Sequence, residues 1–312
     1  MKILNKLKSI KALQIIALSI FALASCDEEA PPGLNFAPER SVFDTTYITN
    51  TIPVAQATNV LIEDFTGVKC PNCPRAQGVA KKLMSDYPGR VFVMAMHPGK
   101  GLLASLTSPF KKPGDDHNSK YDFRTEEAAD ILTFLGGTSQ LPIGSINRTL
   151  YNSEPSILIV DPKWSGKVSE KLATSSIVNI ETFGTKGVYY VDANSIRINV
   201  KLTYTSASTD SQFVSIAIIE DSLIDCQEDG TVVNENYLHN HILRRMITPT
   251  TGSQLKASII PGRVFEKTYD YQMAINETWK IENLKLVVFV HNGTNGTNKF
   301  VVQQVKEYEI HK

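Results

Sequence analysis

Cys70 and Cys73 stand three apart in the stretch "DFTGVKCPNCP", with Pro71 between them and Pro74 directly behind. Two thiols at that spacing can ligate a metal, close a local structural disulfide, or exchange electrons with the thiols of another protein. Zinc would want two more soft ligands. The other cysteines, Cys26 and Cys226, are remote in sequence, so neither a metal nor a cofactor is expected. A disulfide closing so short a loop removes little chain entropy, which weakens the structural reading. Exchange chemistry needs a thiolate, and a thiolate needs an electropositive setting.

Such a setting follows from the flanking elements. The run "NVLIEDF" is short, apolar and bounded by polar residues, as a buried strand is. "PRAQGVAKKLMSDY" places Ala76, Val79, Ala80, Leu83 and Met84 at helical spacing, and "RVFVMAM" reads as a second buried strand. Strand, helix and strand in this order make a right-handed parallel crossover. Cys70 then falls after a strand at a helix N-terminus, where free amides and the dipole favour the thiolate. Cys73, one turn on, is placed to resolve a mixed disulfide. Further along, Thr125 caps a helix "EEAADILTFL" that stops at Gly136 and Gly137; "LPIGSINR" is the next strand and "SGKVSEKLA" a closing helix. The polar segment from Pro98 to Arg124 starts where a strand ends on the cysteine side, and reads as a lid or recognition loop. His97 at its root is expected to cap the strand, with a proton relay as the alternative.

Asp64 and Phe65 before "TGVKC" resemble the buried aspartate and phenylalanine that precede the first active cysteine of thioredoxins. The resemblance implies a thioredoxin-like α/β fold. It gives Asp64 the part of a buried carboxylate that helps move the second thiol's proton. It also implies that Pro142, in "TSQLPIGSINR", is a cis-proline opposite the cysteines, with the backbone of Leu141 offered to an incoming peptide. Burial raises a carboxyl pKa, which suits such a role. Without the resemblance, Asp64 is a strand-end carboxylate bonded to backbone and Pro142 a trans proline. Glu63 should point to the opposite face of the strand. Three features depart from thioredoxins: Lys69 replaces the tryptophan before the first cysteine, Pro71 and Asn72 replace glycine and proline, and the Pro98–Arg124 segment is long. The middle pair tunes redox poise, so the direction of electron flow is left open.

Compartment decides what thiols are for. Residues 1–25 carry Lys2, Lys6, Lys8 and Lys11 and then "LQIIALSIFALAS", a secretory signal too short for a comfortable membrane span. Its end, "LASC", resembles a lipobox, which implies that Cys26 is acylated and anchors the protein to a membrane; an ordinary signal peptide is the alternative. Residues 26–50, with "DEEAPPGLNFAPERSVFDTT", are acidic and proline-rich and read as a tether. The acidic run resembles a surface-export signal, against the plainer reading of a solvated linker. Lysine plus arginine equals aspartate plus glutamate at 32 each, so no nucleic-acid partner is indicated.

The first folded segment, 51–175, is the thioredoxin-like one. Residues 176–312 bring "GVYYVDANSIRINVKLTY", "QFVSIAIIE" and "LKLVVFVHNG", β-rich runs between polar turns, which predict an all-β immunoglobulin-like sandwich. In "YLHNHILRRM", His239 and His241 would face the same way on a strand, a spacing that could hold a metal with Cys226 or Asp225. Hydrogen-bonded histidines and a free, buried Cys226 are the default. The sequons at Asn147, Asn276, Asn292 and Asn295 carry no weight in a bacterial lipoprotein.

Signal and lipobox, "EDFTGVKCPNCP", "LPIGSINR" and "YLHNHILR" together resemble, over nearly the full length, the outer-membrane-protein-28-related lipoproteins of Bacteroides-type bacteria. That resemblance implies a lipid-anchored place at the outer membrane, with the cell surface as one face it can take. Two functions follow. One is a thiol–disulfide oxidoreductase acting on extracytoplasmic protein thiols or disulfides through Cys70, Cys73, Asp64 and Pro142. The other is a non-catalytic surface lipoprotein that binds a host, nutrient or protein ligand and keeps the cysteines as a local disulfide.

Overall fold

The structure, a computed structural model, describes residues 41–111, 116–275, 277–295 and 298–312. The signal peptide, Cys26 and the tether as far as residue 40 lie outside the described residues. In chain order the elements are β1 (Asp44–Ile48), β2 (Val60–Phe65), α1 (Cys73–Asp86), β3 (Val91–Pro98), α2 (Ala104–Thr107), β4 (Arg124–Thr125), α3 (Glu126–Phe134), β5 (Ile143–Ile146) and α4 (Trp164–Leu172). Strands follow: β6 (Val178–Thr182), β7 (Val188–Tyr190), β8 (Ser195–Tyr204), β9 (Gln212–Glu220), β10 (Leu223–Asp229), β11 (Val232–His239), β12 (Ile242–Met246), β13 (Ser253–Gln254), β14 (Arg263–Gln272), β15 (Leu284–Asn292) and β16 (Val302–Glu309).

The local signals explain most of these. Every residue of β2 and β3 is buried, as continuous apolar runs in a covered sheet require. Helix α1 buries Cys73, Ala76, Ala80 and Leu83, three and four apart on one face. Helix α3 starts where Thr125 Oγ1 accepts from the Ala128 amide at 3.1 Å and ends before Gly136 and Gly137, both at positive φ. Asp44–Ile48 falls in the stretch read above as tether, yet "DTTYI" is β-branched and aromatic and pairs antiparallel with β14.

The molecule is mostly β-sheet. A nine-stranded mixed sheet has the order β16-β15-β9-β12-β3-β2-β5, with β13 on β9 and β4 on β3. It therefore runs without a break from the first half of the chain into the second. The joint is one parallel pairing, Ile242 against Ala95, with the Ala95 amide donating to the His241 carbonyl at 2.8 Å. A five-stranded sheet of β1, β14, β8, β6 and β7 faces the β9–β15 part of the large sheet across a core of Val178, Ile198, Leu202, Ile216, Ile218, Leu286 and Val288. On the other half of the large sheet, α1 and α4 cover one face through Ala76, Leu83, Trp164 and Val168. Helix α3 covers the opposite face through Ile131 and Leu132. Among the described residues, strands β10 and β11 pair only with each other.

Candidate functional site

Strand β2 is parallel to β3 and antiparallel to β5, with Asp64 opposite Ala95 and Gly144. Gly144 has no room for a side chain, because a Cβ there would lie 2.6 Å from the Trp164 ring and 2.7 Å from the Glu63 carbonyl. The chain leaves β2 through Thr66 and Gly67, and a Cβ on Gly67 would meet the carbonyl of Leu106, so the turn before the cysteines packs backbone to backbone. Cys70 lies in this turn, two residues ahead of the helix N-cap Asn72, and Cys73 is the first residue of α1. The two are joined as a disulfide with Cα atoms 5.4 Å apart. The Leu141–Pro142 peptide is cis.

An exposed attacking thiol is not what the structure shows. Cys70 is 1% and Cys73 0% exposed. Part of the cover is the stretch 98–111, whose Leu106 carbonyl accepts from the Lys69 amide at 2.8 Å. Lys69 itself lies over the Phe110 ring, 4.6 Å from its centroid. The rest is the β10–β11 hairpin. Gln227 Nε2 donates to the carbonyls of Gly67 (3.1 Å) and Cys70 (3.3 Å). The amides of Glu228 and Gly230 donate to the carbonyls of Val68 (2.8 Å) and Pro71 (3.0 Å). The Tyr237 hydroxyl donates to Gln77 Oε1 at 2.5 Å, and Gln77 Nε2 donates to Thr66 Oγ1 at 3.1 Å. Asp225 locks hairpin to segment by accepting from the amides of Lys120 and Tyr121, both at 2.9 Å. Tyr237 opens the stretch "YLHNHILRRM" and Asp225 was a candidate ligand, but Gln227, Glu228 and Gly230 carry no sequence motif, and the part all of them take here shows only in contacts more than a hundred residues away.

Asp64 is 1% exposed, and among the described residues neither carboxylate oxygen has a hydrogen-bond partner. Burial, reinforced by the nearby Asp161 carboxylate, pushes its pKa up to about 8. Asp161 is itself held by Arg75 Nη1 at 2.5 Å. Glu63 points to the other face, as alternation requires, into a buried ion pair with Arg148 at 2.6 Å that Ser145 Oγ joins at 2.7 Å.

His97 is buried with both ring nitrogens unpartnered, and burial with the neighbouring His239 drives its pKa down to about 3. Its ring centroid lies 5.3 Å from that of Phe123, which also lies 4.8 Å from His239 and stacks on Tyr121 at 5.8 Å. His239 and His241 do not share a face: His239 is buried against Tyr237, while His241 turns to Asp221 at 3.2 Å. The turn between them comes from His241 at φ 60°, which breaks strand alternation. Among the described residues no group of three His, Cys, Asp or Glu side chains could hold a metal ion. Cys226 is a buried free thiol.

A β-rich chain with a buried CxxC disulfide matches the family model described as outer membrane protein Omp28 over residues 134–311. The chain therefore belongs to the Omp28 family of outer membrane proteins, and its place is the outer membrane. The matched region begins beyond the cysteine pair and contains Pro142, Arg148 and the β10–β11 hairpin. Among solved structures, HBP35 of Porphyromonas gingivalis is 14% identical, with a TM-score of 0.62 over 82% of this chain and 76% of that one. This likeness is one of fold. A chain from Agrobacterium tumefaciens is 12% identical, with a TM-score of 0.48 over 81% of this chain and 95% of that one. A domain of the outer membrane lipoprotein Omp28 from P. gingivalis is 19% identical, with a TM-score of 0.29 over 44% of this chain and 89% of that one. No curated protein matches the chain. No helix among the described residues is long and apolar enough to cross a membrane.

Proposed function

We propose that this Omp28-family protein, anchored through Cys26, exchanges disulfides with extracytoplasmic proteins at Cys70 and Cys73 in a thioredoxin-like segment spanning 51–175, with an immunoglobulin-like sandwich in 176–312. The observation that carries the reading is the unpartnered, buried Asp64 on the strand that leads into a CxxC disulfide. A structural disulfide has no use for such a carboxyl, whereas thiol exchange needs a proton carrier with a pKa near the working pH. The parallel β2–α1–β3 crossover and the antiparallel β5 support the thioredoxin-like assignment.

In the reducing direction, Cys70 as thiolate attacks a substrate disulfide, forming a mixed disulfide and releasing one substrate thiolate. Cys73, deprotonated by Asp64, then attacks Cys70 Sγ. The mixed bond breaks, the second substrate thiolate leaves and takes up a proton, and the Cys70–Cys73 disulfide is restored. Reversal, starting from the disulfide and a substrate dithiol, oxidises the substrate; the partner's redox potential sets the direction. The test is a Cys73→Ser variant exposed to cell-envelope extract: covalent adducts that dithiothreitol releases are expected at Cys70, and their absence overturns the reading. The second reading, a non-catalytic binding lipoprotein, is favoured by the burial of both cysteines. Full activity of the double serine variant in the cell would select it.

A further inference from the structure

Four observations on the β10–β11 hairpin belong together. Its main attachments run along one strip, the carbonyls of Gly67, Val68, Cys70 and Pro71, which is the backbone any partner approaching Cys70 would have to reach. Its two strands are hydrogen-bonded to no strand of the nine-stranded sheet, so it can turn away without breaking a ladder. Both roots carry non-glycine residues in the left-handed region, Ser222 at φ 61° and His241 at φ 60°, conformations that cost side-chain-bearing residues energy and gather at switch regions. These roots are tied to each other, with the Ser222 amide donating to Asn240 Oδ1 at 3.0 Å and the His241 amide to Asp221 Oδ1 at 2.6 Å, so a rotation has a defined pivot. Finally, its outer side exposes Ile224 (46%), Val232 (63%) and Leu238 (53%), while Leu223 and Cys226 face inward with Val68, Phe110 and Phe123. It is a thin layer one hairpin deep.

We infer that residues 222–241 form a hinged, autoinhibitory cap, which must swing on Ser222 and His241 before any thiol or reductant can reach the Cys70–Cys73 disulfide. The identity of the incoming thiol rests on the function proposed above; the cap itself does not. Gln227 is the latch. Its side chain is wholly buried and ties the hairpin to the carbonyl of Cys70 itself. Tyr237 is the second fastening, on α1.

The experiment follows reduction of the disulfide in the folded, full-length protein by a water-soluble phosphine. The phosphine attacks one sulfur, the S–S bond breaks, water supplies the oxygen of the phosphine oxide, and two thiols appear that iodoacetamide traps for counting by mass. With the cap closed, reduction should be slow against an unstructured CPNC peptide. Gln227→Ala should speed it about tenfold, the ratio expected for losing a hydrogen bond of ordinary net strength, and Tyr237→Phe about threefold. Val288→Ala, in the sandwich core, lowers global stability without touching the cap and should leave the rate unchanged. Backbone hydrogen exchange of residues 223–239 should proceed as one unit, faster than β2 and β3, and faster still in Gln227→Ala. Should Gln227→Ala not fold, Tyr237→Phe carries the same comparison. The cap is overturned if the wild-type disulfide reduces as fast as the peptide, if Val288→Ala accelerates reduction as much as Gln227→Ala, or if hairpin amides exchange only together with β2 and β3. Substrate turnover enters none of these readings, so an inert enzyme and an absent cap give different results.

Discussion

Glu63 and Asp64 are neighbours on one strand, both carboxyls, both buried, and they live in opposite worlds. The Glu63 side of β2 offers Arg148 and Ser145, with the Arg148 guanidinium held between Phe134 and Phe289; its charge is answered and its role is architectural. The Asp64 side brings a second acid, Asp161, and among the described residues its oxygens have no partner. A buried charge with a complete set of partners fixes structure. A buried acid without them is a stability cost, and such costs gather where chemistry is done.

That difference can be broken at either face. The largest effect should come from Arg148→Met, which strands Glu63 in the interior. We expect a loss of about 3–5 kcal/mol in urea unfolding, and the double variant Glu63→Met with Arg148→Met should recover most of it. Asp64→Asn should behave in the opposite sense. With a folded pKa of about 8 against an unfolded value near 4, wild-type stability falls as pH rises from about 4 to about 8. The stability of Asp64→Asn relative to wild type should therefore climb across that window by a few kcal/mol. A gap that is flat with pH would sink the reading of Asp64 as an unanswered acid.

His97 runs the other way. Its pKa is lowered to about 3 by burial and by His239, so the native state loses stability as pH falls below about 6.5. His97→Phe should gain on wild type by about 2 kcal/mol at pH 5 and by nothing through this route at pH 8, as thermal midpoints across pH would report. The smallest change belongs to Glu235→Gln. It removes the partner of His117 on the outside of the hairpin, an exposed pair that should matter by no more than about 0.5 kcal/mol.

The placing of Cys70 and Cys73 between a buried strand and a helix was readable because strand–helix alternation leaves short-range marks, whereas Asp64 and Pro142 were singled out by their resemblance to thioredoxin positions. The helix 126–134 was readable from Thr125 and two glycines. The Glu63 face was half readable: alternation turned it away from Asp64, but nothing local tied it to Arg148, 85 residues on. The hairpin's role was not readable at all. Gln227 looks like an ordinary strand residue and Tyr237 merely opens the histidine stretch, while what they fasten lies in contacts 157 and 160 residues away. For the same reason "DTTYI" passed as tether, since its partner β14 lies more than 200 residues downstream. The α/β segment over 51–175 and the all-β segment over 176–312 were read from local patterns, and those patterns carry no mark of the pairing of Ile242 with Ala95 in one sheet.

Sequence distance is also an order of arrival. A chain is made and exported from its N-terminus, and Leu223 follows Cys73 by 150 residues. The two thiols therefore reach an oxidising compartment while the hairpin that will cover them is still to come. Their bond can close in the open, and the finished protein then shuts over it. A further tie comes later still, when Gln304 and Val305 bond Asn59, just before β2. Maturation thus leaves an interval in which envelope oxidants meet a sulfur pair that the completed molecule withholds.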